Sequence, residues 1–320
     1  MRRAYLAFVL GIVSVFVVCP ASVRAQSILF DATKGQMLGN ADWVIDADVF
    51  NLGPARTTRR PEVGRGNESN PQQTPTAAAA GITASTPETY WRGGLSAWGV
   101  ASVQRGLGVQ TLPFNRAITY NVASNPQDLK RYKVFVIPEP QFRFTATEKT
   151  AILNFVRNGG GLFIIGNHAR SDRNSDGVDA VVAWNDLFDT NTAGVNPFGI
   201  RFNAVDISTT SSQVLTTANP ITRGVAGAVA RYKTNGGATI TIDPARNASV
   251  RAAVWQTSSR TNARVLVAYA TYGSGRVVAI ADSSAVDDGT GDNNDTLFNG
   301  WSSFDNRRLV MNATLWLAGR

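Results

Sequence analysis

The 320-residue chain has a single cysteine and a single histidine, and both scarcities restrict its chemistry. Cys19 lies in an N-terminal segment that we expect to be removed, so the mature chain would contain no thiol. Disulfides, thiolate metal sites and cysteine nucleophiles are therefore excluded for the mature chain. Any step that needs an imidazole has to use His168.

Long apolar runs are lacking beyond the N-terminus. The chain begins with Arg2 and Arg3, continues with an apolar run over 4–18, and reaches the tripeptide VRA at 23–25. This is the pattern of a secretory signal peptide, and we predict cleavage after Ala25. We therefore expect a secreted or periplasmic protein with no membrane span once the signal is removed.

Concentrated positive charge is also lacking. The net formal charge is +8, and three of the arginines that produce it lie in the predicted signal. The remaining arginines are scattered, apart from a group at 56–65 in a segment rich in Pro, Gly, Asn and Thr. Nucleic-acid binding requires a clustered basic face, so we expect no nucleic-acid partner. The segment 51–83 has no apolar periodicity and predicts a flexible loop within a single domain over 26–320.

Several catalytic and cofactor motifs are absent from the chain. There is no Walker loop, no dinucleotide-binding G-x-G-x-x-G, no H-E-x-x-H helix and no G-x-S-x-G elbow. A serine hydrolase hypothesis therefore has no motif to support it.

Alternating strand and helix patterns occupy the first half of the chain. Apolar runs predict strands over 27–31, 109–114, 132–140 and 161–168. One helix is predicted to begin at Thr86, with Pro87 and Glu88 in its first turn. A second is predicted from Thr145, which forms a capping box with Glu148, to Gly159. This order predicts a doubly wound α/β fold with a mostly parallel sheet.

The second half of the chain is less regular. Polar strands are predicted at 238–243 and 250–256, as a β-rich insertion. Two strands over 264–284, joined at 272–275, predict a late antiparallel hairpin. Apolar residues recur with helical spacing near the end of the chain and predict an amphipathic terminal helix; they are Leu309, Met311, Leu315 and Trp316, with Asn312 on the same face.

Four stretches together resemble secreted relatives of the class I glutamine amidotransferase-like superfamily. They read NGGGLFIIGNH, NPITRGV, YGSGRVVAIADSS and NRRLVMNATLWLAG. That superfamily includes trehalose-utilisation-like proteins and a domain shared by gliding-motility and intraflagellar-transport proteins. The resemblance implies a flavodoxin-like sheet. It does not imply glutamine hydrolysis, because the cysteine nucleophile of that reaction is missing here.

Polar residues follow several of the predicted strands. In an open α/β sheet, ligands bind outside the carboxyl ends of the strands. We therefore take the groups at these ends as candidate catalytic residues, and they are Asp31, Glu139, His168, Asp282 and Ser283.

His168 has three interpretations at this stage. It could act as a general base toward Ser283 or Ser284, with Asp282 or Asp31 orienting the ring. It could bind a metal together with carboxylates. It could also brace a loop by hydrogen bonding to a backbone carbonyl.

The stretch 172–177 has the first half of a calcium loop. Asp172, Asn174 and Asp176 place oxygen ligands at positions 1, 3 and 5, and Gly177 allows the sharp turn. Position 12 is Ala183, so a complete EF-hand is excluded. We expect the missing ligand to come from Asp179, Asn185 or Asp186. The alternative is an Asx-rich turn without Ca²⁺.

A second acidic segment extends over 282–295. It contains Asp287, Asp288, Asp292 and Asp295, and Asn40, Asp42 and Asp46 lie in a third polar stretch. These groups could share a divalent cation with the first loop, or form a solvated loop in which water screens the repulsion.

Two function hypotheses follow. The first is a secreted, calcium-braced, noncatalytic binding or scaffold module, whose ligand would be an extracellular glycan or a surface protein. The second is an extracellular hydrolase, metal-assisted or dependent on His168, acting at the carboxyl edge of the sheet.

Overall fold

The structure is a computed structural model that describes residues 27–39, 41–45, 81–114, 116–291 and 297–320. Several predictions fall outside these ranges: the signal peptide and its cleavage after Ala25, the loop over 51–80, and the side chains of Asn40, Asp46, Asp292 and Asp295.

Eleven strands and four α-helices are described. The strands are β1 (Ser27–Asp31), β2 (Gly108–Leu112), β3 (Val134–Pro138), β4 (Gly161–Ile165), β5 (Ile200–Ser211), β6 (Arg223–Gly224), β7 (Gly227–Ala228), β8 (Tyr232–Ile242), β9 (Arg251–Trp255), β10 (Val265–Tyr272) and β11 (Gly275–Ile280). The helices are α1 (Ser96–Gln104), α2 (Ala146–Arg157), α3 (Ala180–Asp189) and α4 (Asn306–Leu317).

Five strands form the parallel half of the main sheet, in the order β2-β1-β3-β4-β11. This is the flavodoxin-like order, whose topological switch point lies between β1 and β3. The predicted doubly wound α/β class is confirmed. The carboxyl ends of β1 and β3 therefore meet where ligands bind in such sheets.

Antiparallel strands extend the sheet beyond β11. The order continues β11-β10-β8-β5, and β9 pairs with β10. The predicted hairpin is confirmed as β10 and β11, and the predicted polar strands correspond to β8 and β9. Strands β6 and β7 form a separate two-stranded hairpin.

Both faces of the parallel half are covered by helices. Every residue of β3 and β4 is buried, as expected for strands with helices on both sides. Alternate residues point to opposite layers: Val136 and Phe163 pack with α1 and α4, whereas Phe135 and Leu162 pack with α2 and α3. The longest helices described, α2 and α4, have 12 residues, and none is long and apolar enough to cross a membrane.

The two early helix predictions differ in outcome. The capping box of α2 is confirmed, because the Thr145 hydroxyl accepts from the Glu148 amide and the Glu148 carboxylate accepts from the Thr145 amide. The predicted start at Thr86 is wrong, since α1 begins only at Ser96. The preceding backbone is tied elsewhere: the Gly94 amide donates to the carbonyl of Asp42.

Candidate functional site

The switch point between β1 and β3 holds two buried carboxylates. Asp31 is the last residue of β1 and is 1% exposed, and Glu139 directly follows β3 and is 0% exposed. Gln36 bridges the two strand ends, because its Nε2 donates to Asp31 Oδ2 at 3.2 Å and to the Pro138 carbonyl at 3.1 Å. Asp282 and Ser283 follow the end of β11 after one intervening residue, at the same edge of the sheet.

Glu139 is the centre of the hydrogen-bond network at this edge. Arg173 Nε donates to Glu139 Oε1 at 2.8 Å, and Arg173 Nη2 donates to Oε2 at 3.2 Å. Ser283 Oγ donates to Oε2 at 2.8 Å, and Gln141 Nε2 donates to Oε1 at 3.2 Å. The Glu139 backbone has φ of +33°, a conformation that is sterically costly for a non-glycine residue.

Arg173 is a site residue that the sequence analysis missed. It was visible only as the second residue of the predicted calcium loop. Its amide donates to Gln141 Oε1 at 2.9 Å, and its guanidinium lies 5.9 Å from the centroid of the Trp43 ring. Arg173 thereby fastens the loop that follows β4 onto the switch point.

Asp282 is fully buried and accepts two backbone hydrogen bonds. The Asn235 amide donates to Oδ2 at 2.6 Å, and the Ser284 amide donates to Oδ1 at 2.9 Å. Burial raises the pKa of Asp282 to about 6, and Glu139 contributes in the same direction, while the two amides oppose the shift. Gly237 has room only for hydrogen here, because an added Cβ would lie 2.7 Å from Asp282 Cβ.

Burial also raises the pKa of Asp31, again to about 6. The Lys34 charge and hydrogen bonds from Thr33 lower it, but they do not cancel the desolvation of the carboxyl group. Glu148 adds a smaller upward effect.

His168 lies beyond the end of β4 and is half-buried. Its Nδ1 is 2.8 Å from the carbonyl oxygen of Ala169, so Nδ1 carries the proton and donates. Nδ1 is also 3.7 Å from Asp206 Oδ2. Among the described contacts, no hydrogen bond joins His168 to Ser283, so the bracing interpretation fits the ring best.

A cleft of about 500 Å³ opens at this edge of the sheet. Its walls include Trp43, Asn167, His168, Arg173, Ser283 and Phe298. Glu139 and Asp282 are not among the residues that line it, so they support the wall from behind. The cleft size is within the range of small-molecule sites.

The predicted calcium loop is curled around Asp172. Asp172 Oδ2 accepts from the Gly177 amide at 2.7 Å, and Oδ1 accepts from the Asp176 amide at 3.2 Å. Gly177 has φ of +83°, as the sharp turn requires. Asn174 Nδ2 donates to Asp176 Oδ2 at 2.8 Å, and Asn174 Oδ1 accepts no hydrogen bond from any residue that the structure describes. The loop therefore holds three oxygen-bearing side chains close together.

The other two predicted metal ligands have other partners. Asp179 is the N-cap of α3, with Oδ1 accepting from the Val182 amide at 2.8 Å. Its Oδ2 accepts from the Arg170 amide at 2.6 Å. Asp186 forms an ion pair with Lys149 at 2.7 Å.

The second acidic segment also serves local structure. Asp288 Oδ2 accepts from the Ala97 amide at 2.6 Å, near the start of α1, and Asp287 Oδ1 accepts from the Gly289 amide at 2.7 Å. Within the described ranges, no group of three or more His, Cys, Asp or Glu side chains is placed to hold a metal ion.

The raised pKa of Asp31 leads to a prediction about stability. Because the folded chain holds this proton more tightly than the unfolded chain, the stabilising effect of the proton is complete below about pH 4 and is lost as the pH rises through about 6. The Asp31→Asn variant carries no such group. The free energy of unfolding of the parent, minus that of the variant, should therefore fall by about 2 kcal/mol between about pH 4 and pH 7. Urea unfolding across this range measures it, and a constant difference would contradict the assignment.

No protein-family model matches the chain, and no curated protein matches it. Several solved structures are similar to the chain. The mmIFT52 N-terminal domain is 16% identical, with a TM-score of 0.44 over 66% of this chain and 84% of that chain. A protein from Bacteroides uniformis described as ThuA-like is 14% identical, with a TM-score of 0.41 over 68% of this chain and 79% of that chain. A cytoplasmic protein from Salmonella typhimurium is 13% identical, with a TM-score of 0.42 over 69% of this chain and 86% of that chain. These similarities carry no information on activity, and the fold assignment rests on the strand order itself.

Proposed function

We propose that the protein is a secreted, noncatalytic module that binds a saccharide in the cleft at the carboxyl edge of the sheet. One observation carries the proposal. Ser283 is the nucleophile candidate on the cleft wall, and its hydroxyl already donates a hydrogen bond to Glu139. The two oxygens of Glu139 are in turn paired with Arg173. Both oxygens of Glu139, the group best placed to activate Ser283, are therefore already occupied by hydrogen bonds.

The polar groups that line the cleft favour a ligand rich in hydroxyls. Asn167 Oδ1 accepts from the His168 amide, which orients Nδ2 of Asn167 as a donor. His168 Nδ1 is the donor to Ala169, so Nε2 is left as an acceptor in the neutral ring. Phe298 is 36% exposed and offers an apolar surface beside these polar groups. A sugar ring has apolar C–H faces and polar hydroxyl groups. An aromatic face next to planar donors and acceptors can contact both.

Calcium fits this proposal as a brace for the wall of the cleft. Asp172 and Arg173 both line the cleft, and the calcium loop begins with them. The unpartnered Asn174 Oδ1 supports the proposal, because a hard cation would satisfy it. Asp172, Asn174 and Asp176 would supply ligands, whereas Asp179 and Asp186 would have to give up their present partners to join them.

The alternative function is a hydrolase at the same edge. The buried acids Asp31 and Asp282, whose pKa values are raised to about 6, favour it, because acids that titrate near neutral pH suit proton transfer. It requires His168 or a carboxylate to reach Ser283, and this contact would have to form on ligand binding.

The saccharide proposal predicts selective effects of cleft substitutions. A panel of neutral oligosaccharides should contain at least one that binds the chain at sub-millimolar concentration. Phe298→Ala should weaken that binding about tenfold or more, because the buried aromatic contact is lost. Titration calorimetry measures both affinities.

Phe114→Ala is the matched control for this test. Phe114 is 38% exposed and does not line the cleft, so its loss should leave affinity unchanged. Equal effects of the two substitutions, or no binding in the panel, would contradict the proposal. Hydrolysis of the bound saccharide that is abolished in His168→Ala would favour the alternative.

The calcium proposal predicts ligand-dependent stabilisation. Extracellular calcium modules bind with dissociation constants of about 0.1 to 1 mM. A tenfold excess over such a constant should raise the melting temperature by about 2 to 4 °C. Asp172→Asn keeps an acceptor for the Gly177 amide but removes the charge, so the rise should disappear. Scanning calorimetry with Ca²⁺ and with a chelator tests this, and a parent chain that does not respond would refute it.

A further inference from the structure

A second concave site lies beside α1 and α4 and shares no lining residue with the cleft. It encloses about 520 Å³. We call it the arginine groove and define it by Glu88, Arg105, Trp301, Phe304, Arg307 and Arg308. Neither the switch-point network nor the predicted calcium loop contributes to it.

The charges of the arginine groove do not balance. Arg307 is paired with Glu88, and Arg308 is paired with Asp305. Arg105 is the third cation, and among the described residues no carboxylate lies within ion-pair distance of its guanidinium. The groove therefore presents one excess positive charge.

Arg105 is held in place by a hydrogen bond, but no described carboxylate compensates its positive charge. It follows the last residue of α1, is half-buried, and donates from Nη1 to the Ala101 carbonyl at 3.0 Å. Burial and the neighbouring Arg307 charge lower the pKa of Arg105, while Glu88 opposes them. A guanidinium remains protonated in proteins, so an arriving anion would be stabilised here.

The two arginines of α4 lie at its amino end, and each is paired with a carboxylate. Both lie in its first turn, which contains no acidic residue. The amino end of a helix carries a partial positive charge and favours carboxylates, so cations there are unfavourable. Their position makes electrostatic sense if the groove receives a negative group.

Phe304 adds an apolar surface at some conformational cost. It is 49% exposed, and its φ is +49°, which is rare for a bulky side chain. The Arg231 guanidinium lies 4.2 Å from the centroid of its ring. Strain of this kind concentrates at sites that bind ligands.

Glu88 narrows the chemical class of the ligand. Trp301 Nε1 donates to Glu88 Oε2 at 3.0 Å and fixes the carboxylate at the groove wall. A simple anion would be repelled by Glu88. A ligand with both a carboxylate and hydroxyl groups would bind the arginines and donate to Glu88 at the same time.

We propose that the arginine groove binds an acidic saccharide, with its carboxylate on Arg105 and Arg307, a hydroxyl donating to Glu88, and the ring against Phe304. The groove has the volume of a small-molecule site rather than the extent of a protein interface. This site is independent of the saccharide proposed for the cleft.

The test compares two probes that have the same sugar rings and differ only at their carboxyl groups, which are charged in one and esterified in the other. The trisaccharide of galacturonic acid and its methyl ester are titrated into the full chain at low ionic strength, where screening is weak. The acid should bind about tenfold or more tightly than the ester, because hydrogen bonds to a charged group are the stronger ones. Equal affinity of the two probes, or no binding of the acid, would overturn the proposal.

Substitutions then assign the binding to the groove. Arg105→Gln should reduce affinity for the acid about tenfold or more, and Arg105→Lys should retain part of it because the charge remains. Arg246→Gln is the control, since it removes an equal charge from an exposed pair with Asp243 outside the groove. A similar loss in Arg246→Gln would mean that only overall charge matters, and would overturn the site.

Two further measurements separate the proposal from its competitors. Phe298→Ala alters the cleft and should leave binding of the acid unchanged, so failure of the cleft proposal would not affect this result. A hexaglutamate peptide supplies carboxylates without a sugar ring. If it binds as tightly as the trisaccharide, the saccharide assignment is wrong and the groove receives acidic peptides.

Discussion

The ion pair between the buried Glu139 and the partly exposed Arg173 is the interaction on which the site depends. A fully buried carboxylate is costly unless it is paired and hydrogen-bonded. Arg173, Ser283 and Gln141 together satisfy both oxygens of Glu139. These partners come from three separate segments of chain, so the pair fixes the relative positions of the loops around the cleft. Glu139 Oε2 also accepts from the Ser283 hydroxyl, so the serine belongs to the same network.

Parallel strands explain why such distant residues meet. The order β2-β1-β3-β4-β11 brings the residues that follow β1, β3 and β11 to one edge. Desolvation at this edge raises the pKa of Asp31 and of Asp282, while backbone amides and Lys34 limit the change. The edge therefore combines buried acids behind the wall with polar, accessible groups on it. The proposed recognition of a hydroxyl-bearing ligand rests on that arrangement.

Strand ends could be predicted from the sequence, whereas the pairing of side chains across the sheet edge could not. Asp31, Glu139 and Asp282 were predicted at one edge because apolar runs mark strands and parallel strands share their carboxyl ends. Arg173 was missed because its pairing with Glu139 spans 34 residues and depends on tertiary packing. The long strand β5 was missed because its mixed polar residues, half of them exposed, lack a clear period. The late start of α1 reflects backbone hydrogen bonds to a distant segment, which local propensity does not reveal.

The most direct test of this account is a double-mutant cycle on Glu139 and Arg173. The free energy of unfolding is measured for the parent, Glu139→Gln, Arg173→Met and the double variant. Each single change removes one side of the ion pair and leaves the other side in place, so the two single losses should together exceed the loss in the double variant by about 2 kcal/mol. Losses that add to within about 0.5 kcal/mol would contradict the claim that this pair organises the site.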